Sequence, residues 1–297
     1  MPWTAICEGA GKHHNEDLIA VHEQDGVTDI LVIDGATSLA ERDYIDTEEG
    51  DVAWFARQFA AELHKILSPN ATQDALVEQA IDATRAAWLA HTEKAEIPHY
   101  AHPIAALSWS RIFHHAGSDE LHLYCLGDCK TLLRGADGEV RDLDPWINPQ
   151  EGVLQREISA MQAKGVSDPA ERRALLTPLL KRRREEQNTA LAPSILCLYP
   201  QGSFAVRKSV LRIAPRSTLL SMTDGFYRLS DPYELYSPAK LIAACAALGL
   251  GAMLAELRAA EAASAVKGGL MVKAADDASA VLWVSSATAF VRTRASV

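Results

Sequence analysis

Aspartates stand at the ends of hydrophobic segments in four widely separated parts of this 297-residue chain. Apolar segments lead directly into Asp34-Gly35, Gly127-Asp128 and Asp224-Gly225, and another begins just after Asp276-Asp277. Aspartate is a poor strand residue, and carboxylates that converge at one end of a sandwich repel one another and lose hydration. A divalent cation resolves that conflict. The pattern therefore predicts a metal site assembled at strand ends.

The donor atoms indicate which metal such a site would hold. Oxygen-only ligands favour hard ions such as magnesium or manganese, and the carbonyl of Gly35 can add a further ligand. Two ions that share a bridging carboxylate lie roughly 3.5–4 Å apart and convert water to a nucleophile near neutral pH. This chemistry suits hydrolysis of a phosphoester best. A single Asp-Gly is also a common turn, so the hypothesis depends on all four segments together.

Strand and helix patterns predict a mixed sandwich. Two short apolar runs, 18–20 and 30–33, flank the turn-like segment 23–26 and indicate a hairpin. Further strands are predicted at 105–112, 121–126, 131–133, 194–198, 204–206, 217–222 and 278–284. Apolar positions at three- and four-residue steps predict helices near 52–66 and 76–88, and an alanine-rich helix is predicted over 238–263 with a break at 249–251.

The segment 151–187 is more charged than its surroundings and predicts two helices broken near 167–169. Its basic run, Lys181 to Arg184, is followed by two glutamates, which favours a solvated helix face over a docking or nucleic-acid patch. No repeat or proline-rich linker divides the chain. We therefore expect a single domain, 1–297, with a charged helical insertion at about 145–195 that acts as a flap beside the site and selects substrates.

The net charge of −10 excludes broad nucleic-acid or anionic-membrane binding as the main activity, because both require excess Lys and Arg. The amino terminus lacks the basic start and apolar stretch of a signal peptide, and the apolar runs are too short to span a bilayer. Five cysteines without Cys-x-x-Cys pairs predict reduced, buried thiols. These features predict a cytoplasmic protein.

Five motifs together resemble the metal-dependent protein phosphatases of type 2C. They are Asn15-Glu16-Asp17, Val32-Ile33-Asp34-Gly35, Leu126-Gly127-Asp128, Met222-Thr223-Asp224-Gly225 and Asp276-Asp277-Ala278-Ser279, in that family's order and rough spacing. The resemblance implies an α+β fold, an α/β/β/α sandwich of two antiparallel sheets flanked by helices. It also implies a signalling enzyme whose binuclear manganese or magnesium centre hydrolyses phosphoserine or phosphothreonine of a phosphorylated protein substrate.

The resemblance assigns metal ligands residue by residue. Asp34 corresponds to the bridging ligand, with Glu16 and the Gly35 carbonyl on one metal and Asp224 and Asp276 on the other.

Other residues match less central positions of the family. Asp17 would be a water-mediated partner, and Asp128 could help Asp224 to hold a third ion. Asp276 is preferred over its neighbour Asp277 because the family's pattern places the ligand first. Lys12 stands where many members have a phosphate-binding arginine, and it supplies the charge without the bidentate geometry.

One departure from the family concerns the proton donor. Many relatives carry a histidine or methionine where this chain has Ala36, so a family-type general acid is missing at that position. His13, His14 or a metal-bound water could replace it.

Competing motifs are weaker. The glycines near Lys12 lack the spacing of a phosphate-binding P-loop, and Ala36 replaces the second aspartate that a haloacid-dehalogenase phosphatase needs. His99-x-x-His102 and His114-His115 lack a convincing third zinc ligand. Two hypotheses remain: a metal-dependent phosphoserine/phosphothreonine phosphatase, or a non-catalytic relative that uses the same fold to bind a partner.

Overall fold

The computed structural model describes residues 2–11, 14–92, 95–166, 168–266 and 275–285. The strands are β1 (Trp3–Glu8), β2 (Leu18–Gln24), β3 (Val27–Gly35), β4 (Ile104–His115), β5 (Ser118–Leu126), β6 (Lys130–Arg134), β7 (Val140–Asp142), β8 (Leu196–Cys197), β9 (Arg207–Ile213), β10 (Thr218–Met222) and β11 (Ala278–Val284). The helices are α1 (Asp51–Ile66), α2 (Gln73–Thr92), α3 (Pro149–Ala163), α4 (Pro169–Asn188), α5 (Asp224–Tyr227), α6 (Pro238–Leu248) and α7 (Leu250–Val266), with a short 3₁₀ turn at His99–Ala101.

The strands form two antiparallel sheets. One has the order β1-β11-β10-β6-β7, and the other has the order β2-β3-β4-β5-β9 with β8 paired to β4. The predicted hairpin is β2–β3, whose two turn residues, Asp25 and Gly26, have φ of 51° and 78°. Such turns match the right-handed twist of paired strands, which explains why Asp-Gly connects them.

Three hydrophobic layers hold the fold together. Between the sheets pack residues such as Val32, Leu219 and Trp283. Outside the second sheet, α1 and α2 bury residues such as Phe59 against it, and outside the first sheet α6 and α7 do the same with residues such as Leu257. The predicted α/β/β/α sandwich is confirmed, because each sheet buries one face against the other sheet and one against helices.

The local predictions are confirmed in most places. The long carboxy-terminal helix breaks as predicted at Gly249, which has φ of 85° and ends α6. The predicted strand 204–206 is wrong: the strand begins at Arg207, and its side chains alternate between exposed and partly buried along an edge position. Four cysteines are buried as expected, but Cys7 is exposed. Among the described helices, none has the length and apolar character that crossing a bilayer requires.

Candidate metal centre

Asp34 lies at the end of β3, where the chain leaves the second sheet. The Gly35 N–H donates to the carbonyl of Glu16 at 3.2 Å. A Cβ on Gly35 would stand 2.5 Å from that same oxygen, so the two chain segments approach this closely only because residue 35 is glycine. This contact brings Glu16 beside Asp34.

Asp17 is buried and anchored to the other sheet. The Thr223 hydroxyl donates to Asp17 Oδ2 at 2.9 Å and accepts a hydrogen bond from the Ser279 N–H at 3.0 Å. Burial, together with the neighbouring carboxylates of Asp277 and Asp224, raises the pKa of Asp17 well above its usual value. The hydroxyl contact suits the indirect role that the sequence predicted for Asp17.

Asp128 follows β5 through a tight turn at Gly127, where φ is 76° and a Cβ would meet the Cβ of Ala106 at 2.3 Å. The Asn148 side-chain amide donates to Asp128 Oδ2 at 2.9 Å. Asn148 is also the N-cap of α3, since its side-chain oxygen accepts from the Gln150 N–H at 3.1 Å. The charged helical segment therefore starts directly at the candidate site.

Asp276 and Asp277 precede β11 and have different partners. The Asp277 carboxylate accepts from the N–H groups of Ala10 at 2.8 Å and Glu16 at 2.7 Å, so it holds the segment between β1 and β2. Arg228 donates to Asp276 Oδ2 at 2.7 Å. The structural role of Asp277 supports the choice of Asp276 as ligand, while sequence reasoning missed Arg228.

The charges of four other aspartates act on Asp34. Burial comes first in raising the pKa of Asp34 well above its usual value, and the carboxylates of its four partners add to it. The Asp224 side chain is exposed. Desolvation by the surrounding protein atoms, and then the carboxylates of Asp128 and Asp276, raise the pKa of Asp224 to about 6. We call these five residues the carboxylate cluster: Asp17, Asp34, Asp128, Asp224 and Asp276.

The cluster's repulsion predicts that Asp224→Asn stabilises the metal-free protein. The pKa of Asp224 is about 6 in the folded state against an ordinary 3.8, so folding takes up a proton, and stability falls as pH rises from about 4 to about 6. In EDTA at pH 7 we expect the variant to melt roughly 1–3 °C higher than the wild type, since exposure screens the repulsion. Thermal unfolding below pH 4 should show no difference, and a lower melting temperature at pH 7 would contradict the expectation.

A buried arginine from α4 lies beside the same segment. One guanidinium nitrogen of Arg184 donates to the carbonyls of Ala36 at 3.3 Å and Thr37 at 3.2 Å, just after Asp34-Gly35. Burial lowers the pKa of Arg184 to about 10, although the nearby Glu16 carboxylate favours its charge. The interpretation of the basic run as a solvated face is therefore wrong for Arg184.

Two further side chains on the same face of α4 complete its docking. The Lys181 ammonium lies 3.4 Å from a Glu41 carboxylate oxygen, and the Asn188 amide donates to the carbonyls of His99 at 2.9 Å and His102 at 3.1 Å. Residues 181, 184 and 188 follow the three- and four-residue spacing of one helix face. This face fixes α4 to the segments that follow β3 and precede β4.

The predicted phosphate-binding and proton-donating residues are described only in part. Lys12 and His13 lie outside the described residues. The His14 ring lies beside the loop before α1, with its Cδ2 3.8 Å from the place where a Cβ on Gly50 would stand.

The histidine pairs that resemble zinc ligands have other partners. The two ring nitrogens of His114 lie 2.7 Å from the Thr28 hydroxyl and 2.9 Å from Asp119 Oδ1. The ring of His102 packs edge-on against Trp88. Burial is the main cause that lowers the pKa of His102 to about 4, and the charge of His99 adds to it. The ring of His114 therefore serves hydrogen bonding, and the ring of His102 serves packing.

We expect His102 to make the protein sensitive to acid. Because the folded-state pKa of about 4 lies below the ordinary 6.5, the unfolded chain binds the proton first, and stability is lost as pH falls from about 6.5 to 4. His102→Phe keeps the ring packing and should reduce this loss by about 2–3 kcal/mol, measured as urea unfolding at pH 7 and pH 4.5. The exposed His115→Phe is the control, and an equal acid response in wild type and His102→Phe would contradict the expectation.

The carboxylates of the cluster and the adjacent Gly35 carbonyl fit a hard divalent cation, since magnesium and manganese prefer carboxylate and backbone carbonyl oxygens. The carboxylates of the cluster also raise one another's pKa, as crowded carboxylates do when no cation lies between them. Within the described ranges, no three His, Cys, Asp or Glu side chains already surround one point as metal ligands. Protein contacts with Thr223, Asn148 and Arg228 hold several of the carboxylates instead.

Comparison with known proteins identifies the class to which this sandwich belongs. The family described as Protein phosphatase 2C matches residues 9–249. The chain therefore belongs to the protein phosphatase 2C family of metal-dependent serine/threonine phosphatases. Comparison with curated protein sequences gives no match.

Solved structures share the fold at low sequence identity. The serine/threonine phosphatase PstP/Ppp of Mycobacterium tuberculosis is 16% identical with a TM-score of 0.51, over 96% of this chain and 98% of that one. The serine/threonine phosphatase of S. agalactiae is 14% identical with a TM-score of 0.52, over 95% and 99%. At such identities the likeness establishes the shared fold.

Proposed function

We propose that this protein is a catalytically active phosphoserine/phosphothreonine phosphatase with a binuclear manganese or magnesium centre. The observation that carries this proposal is the carboxylate cluster, in which strand ends from both sheets place mutually repelling carboxylates at an open mouth. A catalytically inert domain would be expected to lose such a costly arrangement of charge, because carboxylates that crowd together repel one another and destabilise the fold.

In this proposal Asp34 would contribute to two metal sites. Glu16 and the Gly35 carbonyl would complete one site, and Asp224 and Asp276 would complete the other. Two divalent cations bound there would polarise a phosphoryl oxygen and supply a nucleophilic water near neutral pH.

Residues around the pair have supporting roles in this proposal. Asp17 steadies the site through Thr223, as the 2.9 Å contact supports, and Asp128 helps Asp224 to hold a third ion. Lys12 attracts the substrate phosphate. Because the methyl side chain of Ala36 cannot donate a proton, His13, His14 or water protonates the leaving oxygen.

We also infer that the whole chain is a single domain with an insertion at about 145–195, and that it works as a cytoplasmic signalling enzyme.

A cavity of about 170 Å³ lies between the start of α3 and the end of α4, lined in part by Gln150, Arg183 and Glu186. Ser194 also lines this cavity, and its main-chain carbonyl accepts a hydrogen bond from the Gly127 N–H at 2.7 Å. This position next to Asp128 supports a role of the insertion in receiving the substrate chain.

A non-catalytic binding protein is the second candidate, and Ala36 favours it because the family-type proton donor is missing there. Calorimetry separates the two candidates, since a chain that has lost catalysis together with its metals would bind no manganese up to millimolar concentration.

The test is phosphate release by metal-depleted protein after manganese is added back. We expect turnover of p-nitrophenyl phosphate and of a phosphothreonine peptide, and loss of both in EDTA. Turnover that persists without metal, or no turnover of any phosphoester with either metal, would contradict the proposal.

A further inference from the structure

Arg228 forms an ion pair with one of the proposed metal ligands. It follows α5 directly, and its guanidinium lies 2.7 Å from Asp276 Oδ2, with side-chain exposures of only 12% and 17%. The charge of Arg228 also counts among the influences that lower the pKa of Asp224. A protein cation therefore already occupies the side of the cluster formed by Asp224 and Asp276.

A buried network holds this arginine in place. Glu261 is only 3% exposed and accepts from Arg228 at 3.4 Å, from Arg258 at 2.7 Å and from the Asp276 N–H at 3.2 Å. Arg258 donates in turn to the main-chain carbonyl of Asp276 at 2.7 Å. The ion pair is thus cross-linked to α7 and differs from a mobile surface pair, which would contribute little.

The positive charge of Arg228 would oppose the binding of a metal ion at Asp276. A divalent cation coordinated by Asp276 would lie within a few ångströms of the guanidinium, and like charges at that separation repel strongly where water is partly excluded. Glu16 and Asp34 lie on different chain segments from this network. The charge of Glu16 acts on Arg184, whose guanidinium is held by the main-chain carbonyls of Ala36 and Thr37.

We propose that Arg228 is a built-in counterion of Asp276 that competes with the second metal ion, so that the two sites fill in sequence and the Asp224/Asp276 site fills last. The inference rests on the proposed binuclear centre. Arg228 acts on the reaction through Asp276 and is therefore a positioning residue.

Manganese titration by calorimetry of the metal-free full chain tests this competition. The wild type should bind two ions with unequal affinities. Arg228→Gln should tighten the weaker site by about tenfold and leave the tighter site within about threefold, because removing one adjacent charge is worth about one decade in affinity. Arg228→Met, which keeps the apolar stem of the side chain without its charge, should do the same, and Arg228→Lys should keep the weak site.

Arg258→Gln is the matched control, because it makes the same charge change in the same network without releasing the Asp276 carboxylate. We expect it to shift the weaker site by less than about threefold. If Arg228→Gln leaves that site unchanged or weakens it, or if Arg258→Gln tightens it equally, the inference is wrong while the binuclear centre stands. A wild type that binds no manganese contradicts both.

Discussion

Asp34→Asn is expected to reduce manganese-dependent hydrolysis of a phosphothreonine peptide by at least about 10³-fold. Asp34 ends β3 at the centre of the carboxylate cluster, and the charges of the other four aspartates all act on it. Asparagine keeps the shape but cannot bridge two cations, and the transition-state charge stabilisation that a metal supplies is worth several kcal/mol. Steady-state kinetics at saturating manganese measures the effect.

Asp137→Asn is the matched control for that substitution. Asp137-Gly138 is the same dipeptide in an exposed turn between β6 and β7, and the proposed site assigns no role to it. Its kinetics should equal those of the wild type. Activity of Asp34→Asn within tenfold of the wild type would show that the cluster does not perform the chemistry.

Gly225→Ala is expected to disable the second metal site without touching any carboxylate. A Cβ on Gly225 would stand 1.9 Å from the main-chain carbonyl oxygen of Asp277, so the segment that carries Asp276 must move away from Asp224. We expect a loss of about 1–3 kcal/mol in the free energy of unfolding, as for other overpacked sites. A fall in activity of about 100-fold should accompany it, because small displacements of positioned groups have such effects.

Gly251→Ala provides the comparison in a helix. Nothing lies within 4 Å of the Cβ it would add near the start of α7, so this change should raise stability by about 0.5–1 kcal/mol and leave activity unchanged. The prediction for Gly225 is wrong if its alanine variant retains both wild-type stability and wild-type manganese affinity.

The fold was predictable because local and long-range preferences agree in this chain. The Asp25-Gly26 turn joins two apolar strands, Gly249 ends a helix, and both features follow from the backbone freedom of glycine and aspartate in turns. The carboxylates of the site could be located for a similar reason. Each of these carboxylates follows or precedes a strand, so the carboxylates come together once the two sheets form and pack.

Other parts of the site depend on pairings that no local pattern specifies. Arg228 and Asp276 are separated by 48 residues, and only the packing of α5 and α7 beside β11 brings them together. Arg184 lies in a charged helix without a clear apolar stripe, although the spacing of residues 181, 184 and 188 was a usable signal. The edge strand β9 was placed too early because its outward face carries Lys208 and Arg212, which make it resemble a loop.

The most direct measurement is anomalous X-ray scattering at the manganese edge from crystals of the full chain soaked in manganese. We predict two peaks that share Asp34, one beside Glu16 and the Gly35 carbonyl and one beside Asp224 and Asp276. In Arg228→Gln crystals the second peak should reach full height at a lower manganese concentration. No peak at the carboxylate cluster, in crystals that hold manganese elsewhere, would contradict the binuclear centre.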